Sequence, residues 1–306
     1  MSNVARHVVC IPGKNPKPPP EQHRALLWRC ILGGAQQAGI PARELAPLAP
    51  RFHLAAWNFA YYGRHTDIHV DLPWVEHMLR GEGRRFCAPQ PGRWQVLRTR
   101  ALYTLGDLFP WLAELVGDAD ILASLRETAR YFDEPRGTGA QVRAVVKHTI
   151  EPLAEGGAEV MLVGHSLGSV IAYDTLWELS HRDRRAWRFP VLLTLGSPLG
   201  MFYVQRRLLG RGERGVRRYP ANIGRWINIA VSGDVIATDR HLHNDFHPML
   251  THDLIASIED VAGGMHSCYG TAAGENPHRC FGYFFHPLVA RLIADWLGDR
   301  EPQIAA

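Results

Sequence analysis

The stretch "EVMLVGHSLGSVIAYDTLWEL", residues 159–179, sets Ser166 between Gly164 and Gly168, directly after an apolar run and directly before a helical pattern. A serine hydroxyl is a weak nucleophile until a base takes its proton, and it is useful only where a carbonyl can approach it. The pattern G-x-S-x-G answers the second need. Where a strand turns sharply into a helix, the turn lifts the serine above the sheet edge, and side chains at 164 or 168 would collide with neighbouring backbone. The Leu167 amide then opens the helix and points to where negative charge develops on a reacting oxygen. A plainer reading of the same residues is a glycine-rich turn with a helix-capping serine. The strand before it and the helix after it favour the nucleophile.

A serine nucleophile needs a base, and the base needs an acid to orient it. Asp234 stands just past "WINIAVSG", with Asp239 and Asp245 as competitors farther along; its alternative is an ordinary turn aspartate. Of sixteen histidines, His266, His278 and His286 follow the last expected strand, and a general base must sit on a loop whose tip reaches the serine. His286 immediately precedes Pro287 and suits a helix cap.

These residues have to be held by a scaffold. Apolar runs at 7–11, 54–59, 159–163, 190–195, 226–231 and 253–258 read as strands, and their nearly continuous apolar character suits strands covered on both faces. Helical patterns fall between them at 21–38, at 141–154 with Val142, Val145, Val146 and Ile150 on one stripe, and from Pro287 onward. Alternation of this kind implies an α/β fold with a mainly parallel sheet. Residues 64–140 break it. Their length and their aromatics, Trp74, Trp94, Phe109, Trp111, Tyr131 and Phe132, suggest an inserted helical cap, mostly core but able to line an apolar pocket.

The 306 residues, 46% hydrophobic and 21% charged, fit an ordinary globular α/β domain. The N-terminal "MSNVARHVVCIPGKN" lacks a small-residue cleavage site and reads as a first strand rather than a signal peptide. "PLVARLIADWL", broken by Arg291 and Asp295, is far short of the roughly twenty apolar residues of a spanning helix. Five cysteines without a C-x-x-C pair indicate neither a disulfide framework nor a zinc ribbon, so a reducing cytoplasm is the expectation; Cys268 and Cys280 are the pair that spacing alone leaves open. "RHLHNDFHPMLTHD", residues 240–253, clusters His241, His243, Asp245 and His247, but with no H-E-x-x-H helix it reads as a polar loop near the site rather than a metal centre. No G-x-x-x-x-G-K-S/T loop suggests ATP chemistry.

The formal charge of +4 is local. Arg206, Arg207, Arg211, Arg214, Arg217 and Arg218 with Glu213 give the segment 206–218 a charge of +5, leaving −1 elsewhere. That argues against a general nucleic-acid binder, and leaves a solvated loop or peripheral contact with an anionic lipid surface.

Taken together, G-H-S-L-G at 164–168 and "TLGSPLG" at 194–200 make the chain resemble the α/β-hydrolase family, more narrowly its lipase-like and esterase-like members. The resemblance covers nearly the whole chain except 64–140, and implies one domain, 1–306, with 64–140 a cap-like insertion. It implies the order Ser, Asp, His, met by Ser166, by Asp234 in "SGDVIA", and by His278 in "ENPHRCFGYFFHP", where a loop histidine precedes an aromatic pair and a helix opening at proline; His266 is the rival base. It places a second oxyanion donor after the first strand, where this chain has Pro12-Gly13 rather than the common His-Gly, and makes the Lys14 amide the candidate beside that of Leu167. The implied activity is cofactor-free cleavage of a carboxylic ester with an apolar moiety. A thioesterase, an acyltransferase or an inactive binding module would use the same scaffold.

Overall fold

The computed structural model of the chain describes residues 4–81, 127–133, 137–234, 236–237, 240–272 and 274–304. Six strands form one sheet: β1 Arg6–Ile11, β2 Phe52–Leu54, β3 Glu159–His165, β4 Phe189–Leu195, β5 Ile223–Ser232 and β6 Ser257–His266. Their order is β2-β1-β3-β4-β5-β6, and every pairing is parallel. The chain is therefore α/β with a parallel central sheet flanked by helices.

The two faces of the sheet explain the continuous apolar runs. Along β3, Val160 and Leu162 face one core, with Val142, Val146 and Ile150 of helix α2 (Thr138–Glu155) and Val170 and Ile171 of helix α3 (Leu167–His181). Met161 and Val163 face the other core, with Leu27 and Ile31 of helix α1 (Pro20–Gln37) and, from the C-terminal end of the chain, Leu292 and Ile293. Side chains alternate across a strand, so a strand buried on both sides must be apolar at every position.

Two expected strands are displaced. The run at 54–59 is a strand only as far as Leu54; Ala55 and Trp57 are buried against the core, and Asn58–Tyr62 is helical. A short apolar run has no period that separates a strand from a packed turn. The run at 253–258 is likewise displaced, to β6 at 257–266, because the segment expected to be a polar loop is helix α4, Leu242–Thr251, whose C-cap is His252. Leu242, Phe246 and Met249 are its buried stripe. Histidines and Asp245 cover its exposed side, so a polar composition concealed a helical period.

Of the expected insertion 64–140, residues 82–126 and 134–136, including Trp94, Phe109 and Trp111, lie outside the described residues. Within the described part, Leu72–Leu79 is helical, Trp74 packs half-buried on the second core, and Tyr131 is buried with its hydroxyl donating to Asp174 at 2.8 Å. Phe132 packs on the first core. Among the described residues no helix is long and apolar enough to cross a membrane.

Candidate active site

Strand order reverses beside β1: the chain leaves β1 toward β2 on one side, whereas β3 and its successors lie on the other. Loops leaving the C-terminal ends of β1 and β3 diverge there and open a crevice, the usual ligand position of an open parallel sheet. The residues singled out from sequence gather at this crevice.

Ser166 is the link between β3 and α3, with φ 54° and ψ −129°, a left-handed conformation that costs a non-glycine residue free energy and persists only if its surroundings hold it. The Ser166 amide donates to the Leu195 carbonyl at 2.9 Å, and the Ser166 carbonyl accepts from the Ser169 amide at 2.9 Å and the Ser169 hydroxyl at 2.6 Å. Ser169 in turn hydrogen-bonds Ser197 at 2.7 Å, which explains "TLGSPLG" as a buttress of the turn. The flanking glycine is needed for the same geometry. A Cβ on Gly168 would fall 2.6 Å from the Pro12 carbonyl oxygen and against the Ile11 carbonyl as well. Gly168→Ala is accordingly expected to lower stability by about 3 kcal/mol, read as a drop in urea midpoint, because neither carbonyl belongs to a side chain that can move aside.

The serine hydroxyl does not cap α3. It lies 2.8 Å from His278 Nε2, while His278 Nδ1 lies 2.9 and 2.8 Å from the two carboxylate oxygens of Asp234. An ionised carboxylate only accepts, so Nδ1 carries the proton and Nε2 presents its lone pair to the serine. Burial alone would raise the carboxyl of Asp234. Instead it is held well below the usual carboxylate range by His278, by the Tyr283 hydroxyl donating at 2.6 Å, and by the Ile236 amide donating at 2.9 Å. Asp234 therefore stays charged although it is 1% exposed.

His165, inside G-H-S-L-G, has a separate task. Its Nε2 donates to the His278 carbonyl at 2.8 Å, fixing the loop that carries His278. Burial, then the neighbouring His278 and Lys17, push its pKa well down, so the ring is neutral and its Nδ1 is an unprotonated, buried nitrogen without a hydrogen-bond partner among the described residues.

The loop after β1 passes over the serine. A Cβ on Gly13 would meet His165 Nδ1 at 2.8 Å and Ser166 Cβ at 2.9 Å, so only glycine allows this approach. The carbonyls of Pro12, Gly13 and Asn15 accept from Trp57 Nε1 at 2.8 Å and Asn58 Nδ2 at 2.8 and 2.9 Å. Lys14 follows, and with Leu167 and Ser166 it lines a small cavity whose other walls are Thr128, Pro198, Met201, Tyr203, Val204 and Ile236. Leu167 is the first residue of α3.

The rival residues stand elsewhere. His266 ends β6, exposed and in register with Ser232. His286 caps the final helix, α6 (Pro287–Leu297), its Nδ1 accepting from the Leu288 amide at 3.2 Å, and burial lowers its pKa to about 4. Asp245 is exposed in the first turn of α4, and Asp239 lies outside the described residues. His243 and His247 stack on α4, and Asp260 accepts from the Leu242 and His243 amides at its start. Among the described residues no group of three or more His, Cys, Asp or Glu is placed to hold a metal ion. Cys268 and Cys280 are not bridged.

Three partners escaped the sequence reading. Tyr283, in helix α5 (Cys280–Phe285), looks like one more core aromatic until its hydroxyl is seen bridging the Val231 amide and Asp234. Arg279 next to His278 reaches back to Asp71, its Nη2 2.6 Å from both carboxylate oxygens, and so ties the His278 loop to the segment before Leu72. Arg279→Met leaves a buried carboxylate without its cation, and a loss of about 3–5 kcal/mol in unfolding free energy is expected from chemical denaturation. Lys17 is buried beside the same ion pair.

No protein-family model, no curated protein and no solved structure matches the chain.

Proposed function

We propose that the chain is a serine hydrolase of the α/β-hydrolase type that cleaves carboxylic esters. The observation that carries this reading is the unbroken hydrogen-bond chain from Asp234 through His278 to Ser166, on a serine held in left-handed backbone at a strand-to-helix turn. A structural serine has no need of an imidazole nitrogen at 2.8 Å, nor an imidazole of a buried carboxylate kept ionised.

In this reading Ser166 Oγ attacks the ester carbonyl and His278 Nε2 takes its proton. The amides of Leu167 and Lys14 receive the oxyanion, aided by the N-terminal end of α3. The imidazolium then gives the proton to the departing alkoxide, and a water activated by the same imidazole releases the acid. Asp234 keeps Nδ1 protonated and stabilises the charged ring. Met201, Tyr203, Val204 and Ile236 offer the acyl group an apolar wall.

The test is turnover of p-nitrophenyl butyrate by wild type and Ser166→Ala. Hydrolysis by the first and none by the second supports the reading; equal turnover by both sinks the nucleophile assignment, and no turnover by either leaves a binding module of the same scaffold. The arginine segment, exposed over 211–218 with Val216 exposed within it and Phe202 exposed before it, fits peripheral contact with an anionic lipid surface. Sedimentation with phosphatidylserine vesicles, reversed by salt, is the expected outcome; binding to neutral vesicles alone would contradict it.

A further inference from the structure

The loop after β1 reads P-G-K-N-P-K and the loop before α5 reads N-P-H-R-C. They face each other across a second cavity beside the serine, of about 90 Å³, lined by Lys14, Lys17, Ser166, Asn276, His278 and Arg279 among others. Lys17 is 8% exposed, and its ammonium has no hydrogen bond or ion pair among the described residues. A buried ammonium without a counter-charge is unfavourable, and structures retain one where function uses it.

Among the described residues no carboxylate is hydrogen-bonded or ion-paired to Lys17; the charge of Asp71 acts on it only from a distance. Asp71 is engaged by Arg279 at 2.6 Å and by the Tyr269 hydroxyl at 3.1 Å. His23 and His165 are pushed low and are neutral, while the Cys10 and Cys280 thiols are pushed up and are neutral as well. Burial and the Arg279 charge bring the ammonium down to about 8, which still leaves it mostly charged at pH 7. The cavity is thus cationic, small and next to the reacting hydroxyl, and its charge suits an anionic group.

Position assigns that anion to one half of the substrate. His278 borders this cavity and not the apolar one, and His278 must protonate the departing oxygen, so the alcohol half lies here and the acyl half lies against Met201, Tyr203 and Val204. We propose that the substrate is an ester of an apolar acid with a small alcohol that carries an anionic group, a carboxylate or a phosphate, bound against Lys17. This rests on the ester-hydrolase reading and names its substrate class. The reaction balances as ester plus water giving the apolar carboxylate, the anionic alcohol and one proton. The ester C–O bond breaks, and water supplies the oxygen of the new carboxylate.

The experiment compares O-butanoyl glycolate with its uncharged analogue O-butanoyl glycolamide, following butyrate release at pH 7, with 2-(butanoyloxy)ethyl phosphate as a third substrate. Wild type is expected to prefer an anionic ester over the amide by at least tenfold in kcat/KM, the faster of the two anionic esters identifying the group. In Lys17→Met that ratio is expected to fall toward one. Should the variant fail to fold, wild type alone decides: glycolate should inhibit p-nitrophenyl butyrate hydrolysis competitively and glycolamide should not. Equal kcat/KM for the three esters, with p-nitrophenyl butyrate still hydrolysed, overturns the anion subsite and leaves the ester-hydrolase reading standing. Failure to hydrolyse any ester overturns both.

Discussion

In His278→Ala, kcat for p-nitrophenyl butyrate is expected to fall roughly 10⁶-fold, the same as in Ser166→Ala, and the double variant is expected to fall no further. The expectation follows from the two residues acting as one unit. Without the imidazole the serine keeps its proton, and without the serine the imidazole has nothing to activate. No substitute base stands by: the His165 Nε2 is committed to the His278 carbonyl, and its Nδ1 is buried under Gly13. His266 is exposed at the end of β6, and His286 Nδ1 accepts from the Leu288 amide at the start of α6. Losses that simply multiplied in the double variant would mean that Ser166 and His278 contribute independently, which a shared proton transfer does not allow.

Asp234→Asn is expected to cost roughly 10⁴-fold in kcat while the fold survives. The argument is in the hydrogen bonds. The Ile236 and Ala237 amides donate to Oδ1, so an asparagine keeps its oxygen there and turns its NH₂ toward the Oδ2 position, where Tyr283 and His278 Nδ1 lie. The new NH₂, at the 2.8 Å position, competes with the Oδ1 acceptor 2.9 Å from His278 Nδ1 and favours the tautomer in which Nδ1 accepts and the ring proton sits on Nε2. That nitrogen, 2.8 Å from Ser166 Oγ, can no longer take the serine proton. Stopped-flow or steady-state kinetics measures the loss, and an unchanged far-ultraviolet circular dichroism spectrum separates it from unfolding. Activity within tenfold of wild type would show that Asp234 does not set the tautomer.

Much of this architecture is legible in the chain because the signals are local. The central stretches of β1, β3, β4 and β5 are buried on both faces, so each reads as a mostly apolar run, and G-H-S-L-G identifies itself by the strand before and the helix after. The order Ser166, Asp234, His278 comes from resemblance, and the structure brings these three together rather than His266 or His286. What stayed hidden is non-local. Tyr283 meets Asp234 across 49 residues, and Arg279 meets Asp71 across 208, with no spacing rule to connect them. Lys17 looks like one more lysine in a proline-rich loop until its burial is known. Helix α4 carries a helical period in Leu242, Phe246 and Met249, but the histidines and Asp245 between them give the segment the composition of a polar loop.

The central claim is that Ser166 is an activated nucleophile, and covalent labelling tests it most directly. The protein is treated with a fluorophosphonate, digested, and the adduct is located by mass spectrometry. A single adduct on the peptide containing Ser166, absent from Ser166→Ala and formed far more slowly in His278→Ala, is the predicted result. An unmodified Ser166 in folded wild-type protein, or labelling at an equal rate in His278→Ala, would contradict the account.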